Sequence, residues 1–190
     1  MERNESIDIL ESQIRECYGR VVWTHKTHEK CADILNTRQD RLKLLQILLS
    51  ALTTSGIVVT VIGNSKSVGI ISAIISISLT ILNAYAKKYD LGGMAQKHAD
   101  AAVSIWNIRE NYLSLLTDIS ACNLSCDEVR PLRDKLQSDL HKVYRGSPRT
   151  INKAYQHASK ALNEMEELTF SDDEIDKLLP KSLRKSKTKS

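Results

Sequence analysis

The sequence predicts an all-α protein built on a two-transmembrane helical hairpin, continuous with long cytoplasmic helices and followed by C-terminal cytoplasmic helices. Three observations carry this expectation. Residues 44–62 (LLQILLSALTTSGIVVTVI) and 67–86 (SVGIISAIISISLTILNAYA) are charge-free runs of nineteen and twenty residues, separated by only four. Apolar residues on either side recur at spacings of three and four, and no segment alternates with period two. Three prolines and seven glycines in 190 residues are too few for a strand-and-turn chain.

The first element, residues 1–43, keeps a heptad-like rhythm through Ile7, Leu10, Ile14, Cys17, Val21, Thr24, His28, Cys31, Leu35, Arg38 and Leu42. That spacing predicts one long helix packed along a partner. Its polar start and late apolar run exclude a cleaved signal peptide.

The hairpin follows. At about 1.5 Å per residue each run spans roughly 28–30 Å, the hydrocarbon thickness of a bilayer. The connection Gly63-Asn64-Ser65-Lys66 is too short for anything except a return to the same side. Arg38, Arg41 and Lys43 precede the first run, Lys87 and Lys88 follow the second, and the loop offers Lys66 alone. Lysine and arginine collect on the cytoplasmic side, so both termini are expected there. So little chain is left outside that a receptor for an external ligand is excluded. A soluble alternative, in which the hairpin is the buried core of a helical domain, is disfavoured because buried helices seldom run nineteen residues without a charge on an outer face.

Polar residues mark both membrane helices. Gly69, Ser72, Ser76, Thr80 and Asn83 share one stripe on the second, while Gln46, Ser50, Thr53 and Thr60 form a looser stripe on the first, with Gly56 nearby. Small residues let helix backbones approach and hydroxyls bond across the contact. The same faces suit a water-filled path, which two helices alone cannot enclose, so that reading requires a homo-oligomer. No carboxylate, Lys, Arg or His lies within either run, which argues against proton-coupled transport.

Residues 87–122 are expected to form a second long cytoplasmic helix, from the rhythm Met94, His98, Ala101, Ile105, Ile108, Tyr112, Leu115 and Ile119, with a bend at Gly92-Gly93. Residues 125–180 form a helical extension. Ser125 with Glu128 reads as a capping box, and Pro131 is a competing first-turn marker. Gly146-Ser147-Pro148 stops that helix and starts another, with Ser147 as cap and Pro148 first in the helix. Ser171 with Glu174 is a second capping box, for a short helix ending at Pro180. Residues 181–190 hold five cations and no acid, leaving residues 1–180 at −1 of the net +4. They are expected to be a solvated, disordered tail.

Chemistry is conspicuous by its lack. No phosphate loop, nucleophile elbow or HExxH pattern occurs, so neither an enzyme nor a cofactor is expected, nor direct nucleic-acid binding. His25, His28 and Cys31 drift around a helix without a fourth ligand and read as helix surface rather than a metal site. Cys122 and Cys126 are expected to be free thiols. The acidic residues between Glu164 and Asp176 lack the order of a calcium loop, and read as a solvated face or half of an electrostatic contact.

The stretches KCADILNTRQDRLKLLQILLSALTTSGIV (30–58) and ISAIISISLTILNAYAKKYDLGGMAQKHADAAVSIWNIRENYLSLLTDI (71–119) resemble the core of the SLATT proteins. These are two-transmembrane effectors associated with SMODS nucleotidyltransferases and SLOG sensor domains in prokaryotic conflict systems. YRGSPRTINKAY and FSDDEIDKLLPKSLR look like the C-terminal extension of subfamily 5. The resemblance implies an effector of antiviral defence and abortive infection at the bacterial inner membrane, triggered by a partner sensor or by a nucleotide second-messenger synthase encoded nearby. It brings no catalytic motif. It makes a pore lined by Ser72, Ser76, Thr80 and Asn83 as good a reading as packing. The alternative remains a membrane-anchored helical scaffold without pore activity.

Overall fold

The computed structural model describes residues 5–63 and 65–185, and among these every regular element is helical. Helix α1 (Glu5–Gly63) runs 59 residues without a break, about 88 Å at 1.5 Å per residue. The return limb is α2 (Lys66–Tyr89) followed by α3 (Leu91–Ser120), 24 and 30 residues, together about 81 Å long. The limbs therefore match in length and lie antiparallel. Gly56 meets Ser72, Gln46 meets Asn83 and His28 meets His98, so contacts descend one limb as they climb the other.

The break in the return limb lies at Asp90, two residues before the expected bend at Gly92-Gly93. Asp90 sits in the left-handed region (φ 37°, ψ 58°) and its Oδ1 accepts from the Gly93 amide at 3.1 Å, capping α3. Any Cβ on Gly93 would collide with that carboxylate. The glycine therefore makes room for the cap, and the aspartate makes the turn. Lys87 and Lys88 occupy the last turn of α2, where the helix dipole favours cations.

Below the break, α1 and α3 pack through the residues their rhythm picks out. Ile7, Leu10, Ile14 and Val21 meet Ile105, Ile108, Tyr112, Leu115 and Ile119, and Val129 and Leu136 of α4 (Cys126–Gly146) complete the core. Helix α4 opens on the expected Ser125–Glu128 capping box, with Pro131 inside the helix rather than at its start. Helix α5 (Asn152–Asn163) begins four residues later than Pro148. The reason is local. Ser147 caps the C-terminus of α4 and its hydroxyl donates to the Val143 carbonyl at 2.7 Å, so it does not serve the next helix. Helix α6 (Asp172–Leu178) has the expected Ser171–Glu174 box. Lys181–Leu183 form a single 3₁₀ turn and Lys185 pairs with Asp172 at 3.0 Å, so the first half of the expected tail is structured; residues 186–190 lie outside the described residues.

Helix α5 lays Ala154, Ala158 and Ala161 against α1. This second neighbour widens the buried face of α1, which now takes in His25, Lys26, Thr27, His28, Cys31 and Ala32. The expectation that His25, His28 and Cys31 form a helix surface is corrected here: all three are buried, Cys31 completely. All four cysteines are free thiols.

Candidate functional site: the hairpin seam and the histidine contact below it

The apolar runs are exposed on most of their circumference. Only 6% of the most apolar 18-residue window of each limb is buried, whereas the core helix of a soluble protein would be mostly covered. Ile62 is 82% exposed and Ile70 64%. Such a surface is stable in hydrocarbon and not in water.

Within the hairpin the seam is narrow. Leu42, Gln46, Leu49, Thr53, Gly56 and Thr60 of α1 are half-buried at heptad spacing, against Val68, Gly69, Ser72, Ile75, Leu79 and Leu82 of α2. Two glycines let the backbones close up. A Cβ on Gly56 would collide with Ser72 Oγ, and one on Gly69 would stand 3.0 Å from Thr60 Cγ2. At the open end of the hairpin Gln46 Nε2 donates to Asn83 Oδ1 at 2.8 Å.

The stripes named from the sequence therefore divide. Gln46, Thr53, Thr60, Gly69 and Ser72 lie in the seam, with Ser72 fully buried, while Ser50, Ser76, Thr80 and Asn83 are exposed. At about 100° per residue Ser76, Thr80 and Asn83 stand on one flank of α2, and Ser50 with Thr54 on the adjoining flank of α1. A shallow cavity of about 310 Å³ opens on that side, lined by Thr53, Ile57, Thr60, Ser72, Ala73 and Ser76 among others. Several hydroxyls donate to the carbonyl one turn back: Thr53 to Leu49, Thr54 to Ser50, Thr60 to Gly56, Ser72 to Val68 and Thr80 to Ser76. Arg38, Arg41, Lys43, Lys87 and Lys88 flank the open end of the hairpin, away from the connecting turn, all exposed.

About 24 Å further along α1 from Leu44, at 1.5 Å per residue, the limbs meet through a polar contact. His28 Nδ1 and His98 Nδ1 lie 3.0 Å apart, with 3% and 1% exposure. One imidazole must donate and the other accept, so the acceptor ring is neutral. Burial above all, then the neighbouring His98 and His25, pushes the His28 pKa down to about 4, and burial lowers His98. Burial also lowers His25, against the pull of Glu29. Beside it, burial works to lower Lys26, but Glu167 (2.6 Å) and Glu29 (2.9 Å) outweigh that and hold the ammonium charged. Glu167 also reaches Lys30 at 3.4 Å, and its carboxyl is lowered chiefly by Lys26. The acidic segment thus supplies one half of an electrostatic contact, within the chain itself. Sequence reasoning placed His28 and His98 on facing stripes without pairing them, and nothing local in the sequence marks Glu167 among its acidic neighbours. Among the described residues no three His, Cys, Asp or Glu side chains group to hold a metal.

The family model for SMODS and SLOG-associating 2TM effector domain family 4 matches residues 10–174. The chain belongs to the SLATT family. The matching subfamily is the fourth rather than the fifth suggested by the C-terminal motifs. Neither a curated protein nor a solved structure matches the chain. As a SLATT protein it is a two-transmembrane effector of conflict and defence systems, associated with the membrane through its two apolar helices. The match spans both limbs of the hairpin, the histidine contact, α4, α5 and the start of α6, so the helices beyond the hairpin are part of the family domain and not an appendage.

Proposed function

We propose that SLATT hairpins of this chain assemble into a homo-oligomer that permeabilises the bacterial inner membrane when a partner sensor, or a nucleotide signal from a synthase encoded nearby, acts on the cytoplasmic helices. Both termini face the cytoplasm, as the flanking cations require. The membrane-crossing segments are residues 44–62 and 67–86, and residues 87–122 and 125–180 receive the trigger. One observation carries the reading: the polar residues Ser50, Thr54, Ser76, Thr80 and Asn83 form a flank beside the seam, left uncovered in a single hairpin. Joined flank to flank, several hairpins bring these side chains around one axis and leave the isoleucine faces to lipid. Gly56, Thr60, Gly69 and Ser72 then hold each hairpin together, while Ser76 and Thr80 line the path. No catalytic group takes part.

Inducible expression in bacteria with a voltage-sensitive dye tests this. Wild type with its trigger depolarises the membrane, and Thr80→Leu, which keeps insertion and removes the hydroxyl, does not. Equal depolarisation by both removes Thr80 from the wall. A second reading, an anchor for a helical scaffold, is favoured by the hydroxyls that bond their own helix carbonyls and so tolerate lipid. It requires that co-expression with neighbouring genes leave the potential unchanged.

A further inference from the structure

Between the membrane-proximal part of α1 and α5 lies a cavity of about 300 Å³, lined by Asp33, Thr37, Arg38, Arg41, Lys153 and His157 along with Ile34. Arg38 and Arg41 are three apart on α1, and Lys153 and His157 four apart on α5, so each pair shares one helix face. Three permanent cations and an imidazole thus face one carboxylate.

Their convergence on one cavity without partners sets them apart. Among the described residues none of these four side chains makes an ion pair or a hydrogen bond. Several other cations are answered by a carboxylate, Lys26 and Lys30 by Glu167, Arg109 by Glu110, Arg133 by Asp134, Lys142 by Asp139 and Lys185 by Asp172, whereas these four converge from two helices on one cavity without such partners. Helix α5 adds to the field, since Lys153 is its second residue and its N-cap, Ile151, offers no side-chain cap. The positive end of the helix dipole therefore stands beside the two basic pairs. Like charges brought together from two elements repel unless an anion joins them.

We propose that this cradle binds a phosphate-bearing anion, with the arginines as hydrogen-bonding forks and Lys153 and His157 closing from the α5 side. A phosphate can come from the headgroup of an anionic phospholipid, because Arg41 stands only three residues, about 4.5 Å, from the first apolar residue of the membrane run. It can also come from a soluble phosphate compound. In either case the anion bridges α1 and α5, tying the C-terminal extension to the foot of the first membrane helix. The site stands whether or not the hairpins form a pore.

The test uses the full chain in neutral detergent, titrated separately with dioctanoyl phosphatidylglycerol, with sodium pyrophosphate and with dioctanoyl phosphatidylcholine. Saturable binding with a raised unfolding temperature is expected for at least one of the two anionic probes and not for the zwitterionic lipid. The Lys153→Gln/His157→Gln variant, changed only at exposed positions, should weaken binding about tenfold or more, from the loss of charge-assisted contacts. Lys142→Gln should leave it unchanged. Binding by phosphatidylglycerol alone assigns the site to lipid, and binding by pyrophosphate assigns it to soluble phosphate. Binding of neither anion, equal binding of phosphatidylcholine, or wild-type affinity in the double variant would overturn the proposal. Should the double variant lose its helical circular dichroism, Lys153→Arg replaces it in one comparison: retained binding there against a tenfold loss in Lys153→Gln supports the site, and equal affinity in the two refutes it.

Discussion

Acidification should loosen the helices below the hairpin by charging their buried histidines. The perturbation is a shift from pH 7.5 to pH 5, acting on the buried His28–His98 contact. In the unfolded chain His28 titrates near its ordinary 6.5, whereas in the folded chain burial holds it at about 4. Between those values the unfolded state binds more protons, so stability rises with pH and is lost as pH falls through 6.5 toward 4. At pH 5 the unfolded imidazole is almost fully charged and the folded one almost fully neutral, which costs about 2 kcal/mol for His28 alone. His98 and His25 are lowered too and act in the same direction. The charged groups facing them are Glu29 and Glu110 against Lys26 and Arg109, and the Glu167 carboxyl is held below its ordinary value chiefly by Lys26. For a chain of this size about 2 kcal/mol corresponds to a fall in Tm on the order of 4–8 °C. Thermal unfolding of the protein in nanodiscs, followed by circular dichroism at several pH values, measures it. The His28→Gln/His98→Gln variant keeps a polar pair without a titrating group and should flatten most of the slope. A wild-type Tm that does not move between pH 7.5 and pH 5, or a double variant with the full slope, would refute the reasoning.

Two further outcomes follow from specific contacts. Gly56→Ala forces a Cβ into Ser72 Oγ, so the hairpin should lose about 1–3 kcal/mol, read as a lowered Tm in nanodiscs, and Ser72→Gly in the same chain should restore it. Glu167→Gln removes the shared partner of Lys26 and Lys30 and leaves the largely buried Lys26 with Glu29 alone; trypsin should then cut within 160–185 several-fold faster while α1 and α3 stay protected.

The long-range plan was legible because it rests on composition and periodicity. Two charge-free runs and a four-residue connection dictate a hairpin, and the heptad rhythm named nearly all the side chains that α3 buries, from His98 to Ile119. What sequence reasoning missed depends on neighbours that periodicity does not report. Helix α5 covers a second face of α1 and so buries Lys26 and Thr27, which belong to no apolar stripe. The bend moved from Gly92-Gly93 to Asp90 because a capping carboxylate, not glycine freedom, sets the turn. The polar stripes split for a similar reason. A stripe about 100° wide on an isolated helix is wider than the line along which two helices touch, so part of it enters the seam and part stays outside. Ser72 and Ser76 are one turn apart and fall on opposite sides of that division.

The two limbs differ in one mechanical respect, which under the proposed function decides how a trigger acting below the hairpin reaches the membrane. Helix α1 is a single unbroken rod from Glu5 to Gly63, so a rotation imposed on its cytoplasmic half is carried into residues 44–62 through continuous hydrogen bonding. The return limb is interrupted at Asp90, where one residue in the left-handed region joins two helices. Motion of α3 is partly absorbed at that joint before it reaches α2. A trigger that acts on α3 alone is therefore weakly coupled to the seam, and one that grips α1 is strongly coupled. The contacts of α5 and the segment after it fall on α1: Tyr155 stacked on Trp23 at 5.3 Å, Glu167 on Lys26 and Lys30, and the alanine face of α5. Under the proposed function, α5 and the segment after it would then act mechanically, holding the limb that runs unbroken into the apolar hairpin.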